Sequence, residues 1–463
     1  MNRKGSMVGV AVLAALCLIL GSGLSANAQA PAPAATQDTG VTKAPPYTMA
    51  EYNAYKACDG ETNPAAKVKC LDDFVSKYPN SALLNFIYQL YSQAYGQQKN
   101  YPKVIEYADK LAALAGIDAG VKFNALYTHC AAYNALISDP SPAGKAAASD
   151  PALAKAAQAS AAAALKTLDD VKKPDGVADD AWAKQVTQFK IFLNGVAAQA
   201  ATITKDWPSA VAAYKAVLAL NPDDAISSYR LGLAYNSMTP PQPMDAFWSI
   251  ARAVTSKGAT QAQAAKVKDY LRKLVANYQG GTVCDSLTDA ELNELLQLAS
   301  SSVDRPSSYS VPSAADLAAA QKDMTIASVI ADLKAGGDKA KLTWMAACGL
   351  EFPEVPGKVI EVGPGTDSIV LKIAFVTSEA EFDAATTPNM DVKVVGQPEA
   401  ARVEKNSAIH FTGTLVGYDP EPAFFLHWDK AKVKEEDLPK EKTPAKKPPV
   451  RRPPAKKPAS KPN

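Results

Sequence analysis

Two stretches of this chain repeat one another. Asn100-Tyr101-Pro102 opens NYPKVIEYADKLAAL at 100–114, and Asp206-Trp207-Pro208 opens DWPSAVAAYKAVLALNPDD at 206–224, with the apolar residues that follow in the same phase. The helical patterns nearby share a second signature, small-x-Ala-Tyr, at Ser92–Tyr95, Cys130–Tyr133 and Gly232–Tyr235. A small residue lets two helices approach closely, and the Tyr three positions on lies on the same face and fills the next layer. A helix pair that recurs cannot bury its apolar face alone and is buried by stacking on its neighbours. From Thr48 to about Gly281 nearly every segment has apolar residues at i, i+3, i+4 spacing. Lys77–Ser81 (KYPNS) and Leu220–Asp224 (LNPDD) are stop-and-restart signals, because Pro ends one helix and Asn, Ser or Asp caps the next.

These residues resemble the tetratricopeptide repeat, a 34-residue pair of antiparallel helices. A unit numbered from Ala225 puts Gly232 and Tyr235 at the family's small and aromatic positions, with Ala246 and Ala253 following after a two-residue insertion. The unit from Ile191 contributes Ala198, Ala210, Tyr214 and Pro222, and the unit from Asn85 contributes Ser92, Tyr95, Val104, Ala108 and Leu111. The unit from Thr48 fits through Leu71, Phe74 and Pro79, and the unit from Phe123 is interrupted at 138–151. The resemblance implies about five helical pairs over residues 48–281, stacked so that the first helices line a groove. By the same resemblance Gln89, Gln93, Tyr127, Asn134, Gln199, Thr202, Tyr229 and Asn236 face that groove. Their amides suit the backbone of an extended peptide, and Tyr supplies contact area. The plainer alternative is a solvated helix face. A dense Lys/Arg clamp for a partner's terminal carboxylate is missing from this set.

Residues 282–355 read as a helical connector, with Thr288 and Glu291 forming a capping box. Near Pro356 the period changes to two. Lys358–Val362, Ser368–Val376, Asp391–Val395, Ala408–Val416 and Phe424–Asp429 alternate between Gly, Pro and Asp breaks, and Gly363-Pro364-Gly365 reads as the first turn. Five short strands over 356–433 suit a small barrel that resembles an OB fold. The expected fold is mainly α: an α-solenoid of antiparallel pairs like those of the tetratricopeptide family, plus this small all-β barrel.

Residues 1–28 carry Arg3, Lys4, an apolar run over Met7–Leu20 and Ala26-Asn27-Ala28, the pattern of a cleaved secretory signal. Leu16 before Cys17 argues against lipoprotein processing. No later stretch is apolar and long enough to span a bilayer. Residues 29–47 are a Pro/Ala-rich linker, and 434–463 a basic Pro/Lys-rich tail expected to be disordered. Lys440–Asn463 alone carries a net +8, which leaves residues 5–439 at −8 within an overall +2. A basic tail on an acidic body points to a polyanion such as lipid phosphate or an envelope polymer, contacted through Lys446, Lys447, Arg451, Arg452, Lys456 and Lys457. A solubilising spacer is the alternative. An exported, periplasmic or envelope-associated chain can form disulfides. Of the five cysteines left after cleavage, Cys58 and Cys70 lie equidistant from the break near Pro64, where two antiparallel helices would bring them together. Two buried thiols are the other reading.

No catalytic pattern emerges. His129, His410 and His427 stand outside any H-E-x-x-H or Cys-paired spacing, and Gly336-Gly337-Asp338-Lys339 lacks the phosphate-loop spacing. Acidic pairs such as Asp72-Asp73 are neighbours in sequence and do not face each other on a helix. His129 and Cys130 read as packing residues. Phe424, Phe425, His427 and Trp428 alternate between a core face and an outer one, which explains them without nucleic-acid stacking. The expectation is a non-enzymatic exported scaffold with no cofactor and no metal. It would bind protein or peptide in the groove, with a basic tail on a polyanion. Nucleic-acid binding by barrel and tail, and an enzyme whose site only folding assembles, are the rivals.

Overall fold

A computed structural model describes residues 46–439. The expected secretory signal, most of the expected linker, and the tail positions Lys446, Lys447, Arg451, Arg452, Lys456 and Lys457 lie outside the described residues. Among those described are seventeen α-helices and five strands, in two compact units. The first unit comprises the chain to Val275 with Asp289–Val311; the second comprises Ala276–Thr288 and the chain from Pro312.

The first unit opens with α1 (Met49–Gly60), α2 (Pro64–Lys77), α3 (Leu84–Gln97), α4 (Tyr101–Ala112) and α5 (Ala119–Ser138). It continues with the short α6 (Pro142–Ala147), α7 (Pro151–Leu168), α8 (Asp179–Ile203), α9 (Trp207–Leu220), α10 (Ala225–Ser237) and α11 (Pro243–Thr255). Apart from α6, each helix packs on the next in the chain, which makes a linear array of helix pairs. α12 (Gln261–Tyr278) and α13 (Asp285–Ser301) follow.

The twin stretches make the same turn. Asn100 and Asp206 are N-caps, accepting from the backbone N–H of Lys103 and Ser209, and Pro102 and Pro208 occupy the first turn. The helices before them close alike: Asn100 N–H donates to Tyr95 O and Asp206 N–H to Ala201 O, both at 2.9 Å. These six-residue closures place Lys99 (φ 56°) and Lys205 (φ 58°) in the left-handed region.

The small positions are the points of closest approach. A Cβ on Gly232 of α10 would stand 2.8 Å from Ala246 O of α11 and collide with Ile250. Cys130 and Ala198 are fully buried. α7 buries Ala154, Ala157, Ala161 and Ala164, so the interruption before it costs the array no packing. Cys58 and Cys70 form a disulfide between α1 and α2, with Cα atoms 5.4 Å apart. Residues after α13 close onto α11: Trp248 Nε1 donates to Val303 O at 3.0 Å, and Arg305 pairs with Asp245 at 3.0 Å.

The second unit contains α14 (Ala314–Gln321), α15 (Ile326–Ala335) and α16 (Gly337–Ala347). A closed barrel follows, made of β1 (Glu351–Gly365), β2 (Ser368–Phe375), β3 (Met390–Val394), β4 (Ala408–Asp419) and β5 (Phe425–Val433), with α17 (Glu379–Ala384) between β2 and β3. The strand order is β1-β2-β3-β5-β4, closed by β1 on β4, and only the β3–β5 pairing is parallel. Ile409, Phe411 and Leu415 point inward with Leu426 and Trp428, as alternation requires. α15 and α16 share this core through Val329, Leu333 and Ala347.

The first strand begins at Glu351 rather than Lys358, and Gly363-Pro364-Gly365 is not a turn. Those three residues pair with Val370, Ile369 and Ser368, and the turn is Thr366-Asp367, with Asp367 at φ 56°. Neither Gly363 nor Gly365 has a positive φ, so the glycines serve an extended strand end. A second disulfide, Cys284–Cys348, ties the segment before α13 to the end of α16, and Cys130 remains a buried thiol.

Candidate functional site

α3, α5, α8 and α10 are the first helices of successive pairs and carry all eight positions singled out for a groove. Gln93 is exposed, while Gln89, Tyr127, Asn134, Gln199, Thr202, Tyr229 and Asn236 are half-buried. Ring contacts join first helices across the intervening second ones. Tyr55 of α1 meets Phe86 of α3 at 5.8 Å, Tyr127 of α5 meets Phe192 of α8 at 4.9 Å, and Tyr229 of α10 meets Tyr270 of α12 edge-on at 6.0 Å. Each contact passes over the intervening second helix (in the α5–α8 case the short α6 as well), so its two residues share one side of the array.

The positions are not equivalent. Tyr127 also lies against Phe123 and Phe189, and burial, aided by the Cys130 thiol, pushes its phenol up to about 12. It therefore stays protonated at any ordinary pH, as much core as surface. The Thr202 hydroxyl donates to Ala198 O at 2.8 Å and lies 3.3 Å from the Tyr214 hydroxyl, so it is engaged within its own pair. The amides Gln89, Gln93, Asn134, Gln199 and Asn236 remain, Gln93 exposed and the others half-buried.

Sequence reasoning passed over the apolar residues of the same face. Met49, Phe86, Phe192 and Ile226 each stand second in the units numbered from Thr48, Asn85, Ile191 and Ala225. Met49 and Ile226 are each 51% exposed, among the largest hydrophobic exposures of the described residues. Their signal was present, since the same numbering that selected Gln89 and Tyr229 includes this position. An apolar residue at this place in four of the five units (the unit from Phe123 has Asn124) distinguishes them from scattered surface hydrophobics, which need no explanation.

His129 and Cys130 are packing residues. His129 is 1% exposed and donates from Nδ1 to Asp109 Oδ1 at 2.6 Å, and burial pushes the Cys130 thiol up to about 12. In the barrel, Trp428 sits in the core against Phe352 and Phe411, and Phe424 packs beside Tyr418 under the Lys334 ammonium. His427 lies outside, held by Asp391 and Asp419.

Two hollows are open and charged. One of about 330 Å³ is lined by Lys268, Asn293 and the Arg272–Asp289 pair, which meet at 2.6 Å. The other, about 470 Å³ on the barrel, is lined by Glu351, Lys430, Lys432 and the Lys434–Glu354 pair, which meet at 3.4 Å. Among the described residues no group of three or more His, Cys, Asp or Glu is placed to hold a metal ion. None of their helices is long and apolar enough to cross a membrane. Compared with protein-family models and with curated proteins, the sequence matches none.

Proposed function

We propose that the helical array is a tetratricopeptide-type scaffold that binds an extended segment of a protein partner along the face of its first helices. The observation that carries this reading is the combination on one face of recurring apolar residues, Met49, Phe86, Phe192 and Ile226, with the amides Gln93, Gln199 and Asn236. Apolar side chains supply area, and amides pair with the donors and acceptors of an extended backbone. The barrel is OB-like and supports the array's role as a second module. The Pro/Lys/Arg tail adds attraction to a polyanion that weakens with salt. Two disulfides suit an oxidising compartment, so the scaffold acts outside the cytoplasm, in the periplasm or cell envelope, after removal of residues 1–28.

Asp391 and Asp419 flank the outward His427, and phosphate is unwelcome beside two carboxylates. That favours peptide over nucleic acid. Capture of partners by the exported protein, compared with the Gln93→Ala, Gln199→Ala, Asn236→Ala triple variant, tests the reading. Each lost hydrogen bond is worth about 0.5–1.5 kcal/mol, so the triple variant retains roughly a tenth of the capture or less. Undiminished capture contradicts it.

A further inference from the structure

The outside of the barrel carries a ladder of alternating charge that crosses all five strands. Glu361 on β1 pairs with Lys372 on β2 at 3.4 Å, and the two are register partners. Lys372 stands opposite Asp391 on β3 in register, and Asp391 stands opposite His427 on β5. His427 Nδ1 is 2.8 Å from Asp391 Oδ1, and its Nε2 is 2.9 Å from Asp419 Oδ2 at the end of β4. The signs alternate as acid, base, acid, histidine, acid. Opposite charges on adjacent strands stabilise a sheet, and like charges destabilise it.

Both ring nitrogens of His427 face carboxylate oxygens, and a carboxylate only accepts. Two such hydrogen bonds require both nitrogens to donate, which only the imidazolium can do. The neutral ring leaves one nitrogen lone pair against a carboxylate. Gly417 makes the arrangement possible: it lies opposite His427 in register, and a Cβ there would press on the ring at 3.3 Å.

We propose that this ladder is a pH-operated clasp on the β4–β5 hairpin, closed while His427 holds its proton and released when the proton leaves. The hairpin joins Asp419 to Phe425 across residues 420–424. Asp419 and His427 close it from within, and Asp391 anchors it to β3. The charged groups facing His427 are Asp391 from β3 and Asp419 from β4, with Lys372 one strand beyond. On its own strand Asp429 is occupied by the Lys430 N–H, and Phe425 lies 5.5 Å from the ring. Half-burial lowers the imidazole's proton affinity, but the two carboxylates outweigh it and hold the pKa above the ordinary 6.5. A folded-state pKa above the unfolded one gives stability that is full below pH 6.5 and lost as pH rises through the folded midpoint. His427 is the member of the ladder that responds near neutral pH.

Imidazole NMR of the purified chain, with amide hydrogen exchange across 417–427, tests the clasp. The expected result is a His427 midpoint above 6.5 that falls by at least threefold in proton affinity in Asp391→Asn and in Asp419→Asn. Exchange in the hairpin, corrected for its intrinsic pH dependence, rises above that midpoint. In His427→Gln the hairpin exchanges equally fast at both ends of the range. A midpoint at or below 6.5, or one that ignores both aspartate substitutions, overturns the proposal. Asp419→Asn, at an exposed strand end, keeps the test valid if the buried-side variant fails to fold. Hairpin exchange independent of pH in the wild type also overturns it.

Discussion

Lys99 and Lys205 occupy the left-handed region because the turn between the helices of two pairs demands it. The backbone closure in both places is a hydrogen bond from the following N-cap residue to the carbonyl five positions back. A lysine held there is strained by its Cβ, whereas glycine is not. Lys99→Gly and Lys205→Gly should each stabilise the array by about 0.5–1 kcal/mol in urea denaturation, despite lying on the surface. Destabilisation by either change would mean that the lysine side chains hold the turn. The twin openings Asn100-Tyr101-Pro102 and Asp206-Trp207-Pro208 were legible from the sequence as a recurrence, and their N-cap role has a local reason, a side-chain oxygen two residues before Pro. The left-handed lysines were not, since lysine carries no signal for a positive φ. The His427 clasp was equally hidden: its partners are 36 and 8 residues distant and meet only through the barrel's register.

Among the elements, helix pairs were read from phase and the strands from alternation, and both periods survive in the structure. Gly232 shows why phase sufficed. Its missing Cβ is the space into which α11 closes, so a packing requirement is written directly into the residue. The Gly363-Pro364-Gly365 turn failed for the opposite reason. Gly and Pro mark turns locally, but here the β1–β2 pairing extends the strand through them and moves the reversal to Thr366-Asp367. Among the described residues the first pair ends the array, with α3 as the next helix packed on it. Its apolar cluster includes Tyr55, Leu71, Phe74 and Ile87, and the Cys58–Cys70 bond fastens α1 to α2 beside it. Replacing both cysteines with serine should cost about 2–4 kcal/mol. The loss should appear first as early exchange of α1 and α2 amides, ahead of α8–α11. Uniform weakening of the whole array would show that the bond supports more than its own pair. The Cys284–Cys348 bond joins residues 64 apart in sequence, and nothing local could have selected that partner.

For the molecule as a whole, helices followed by a small barrel were visible in the sequence, whereas the proposed partner face was only half so. The eight chosen positions lie on α3, α5, α8 and α10, yet the Thr202 hydroxyl bonds inside its own pair and Tyr127 is largely packed. Phe86, Phe192 and Tyr270 complete the face, and their contribution comes from rings meeting across pairs. Burial on that scale depends on the stacking of neighbours and cannot be read one helix at a time. On the proposed reading the array, the barrel and the basic tail would divide the work: peptide along the helices, a pH-responsive hairpin on the barrel, and charge in the Lys/Arg-rich segment. The most direct test of the central claim is site-specific photocrosslinking of the full chain in cells, with a photoreactive residue placed singly at Gln93, Gln199 and Asn236, and at Lys155 and Lys215 on the exposed sides of second helices. The account predicts partner adducts from the first three positions and none from the two lysine positions. Adducts from both sets alike, or from the lysine positions alone, would contradict it.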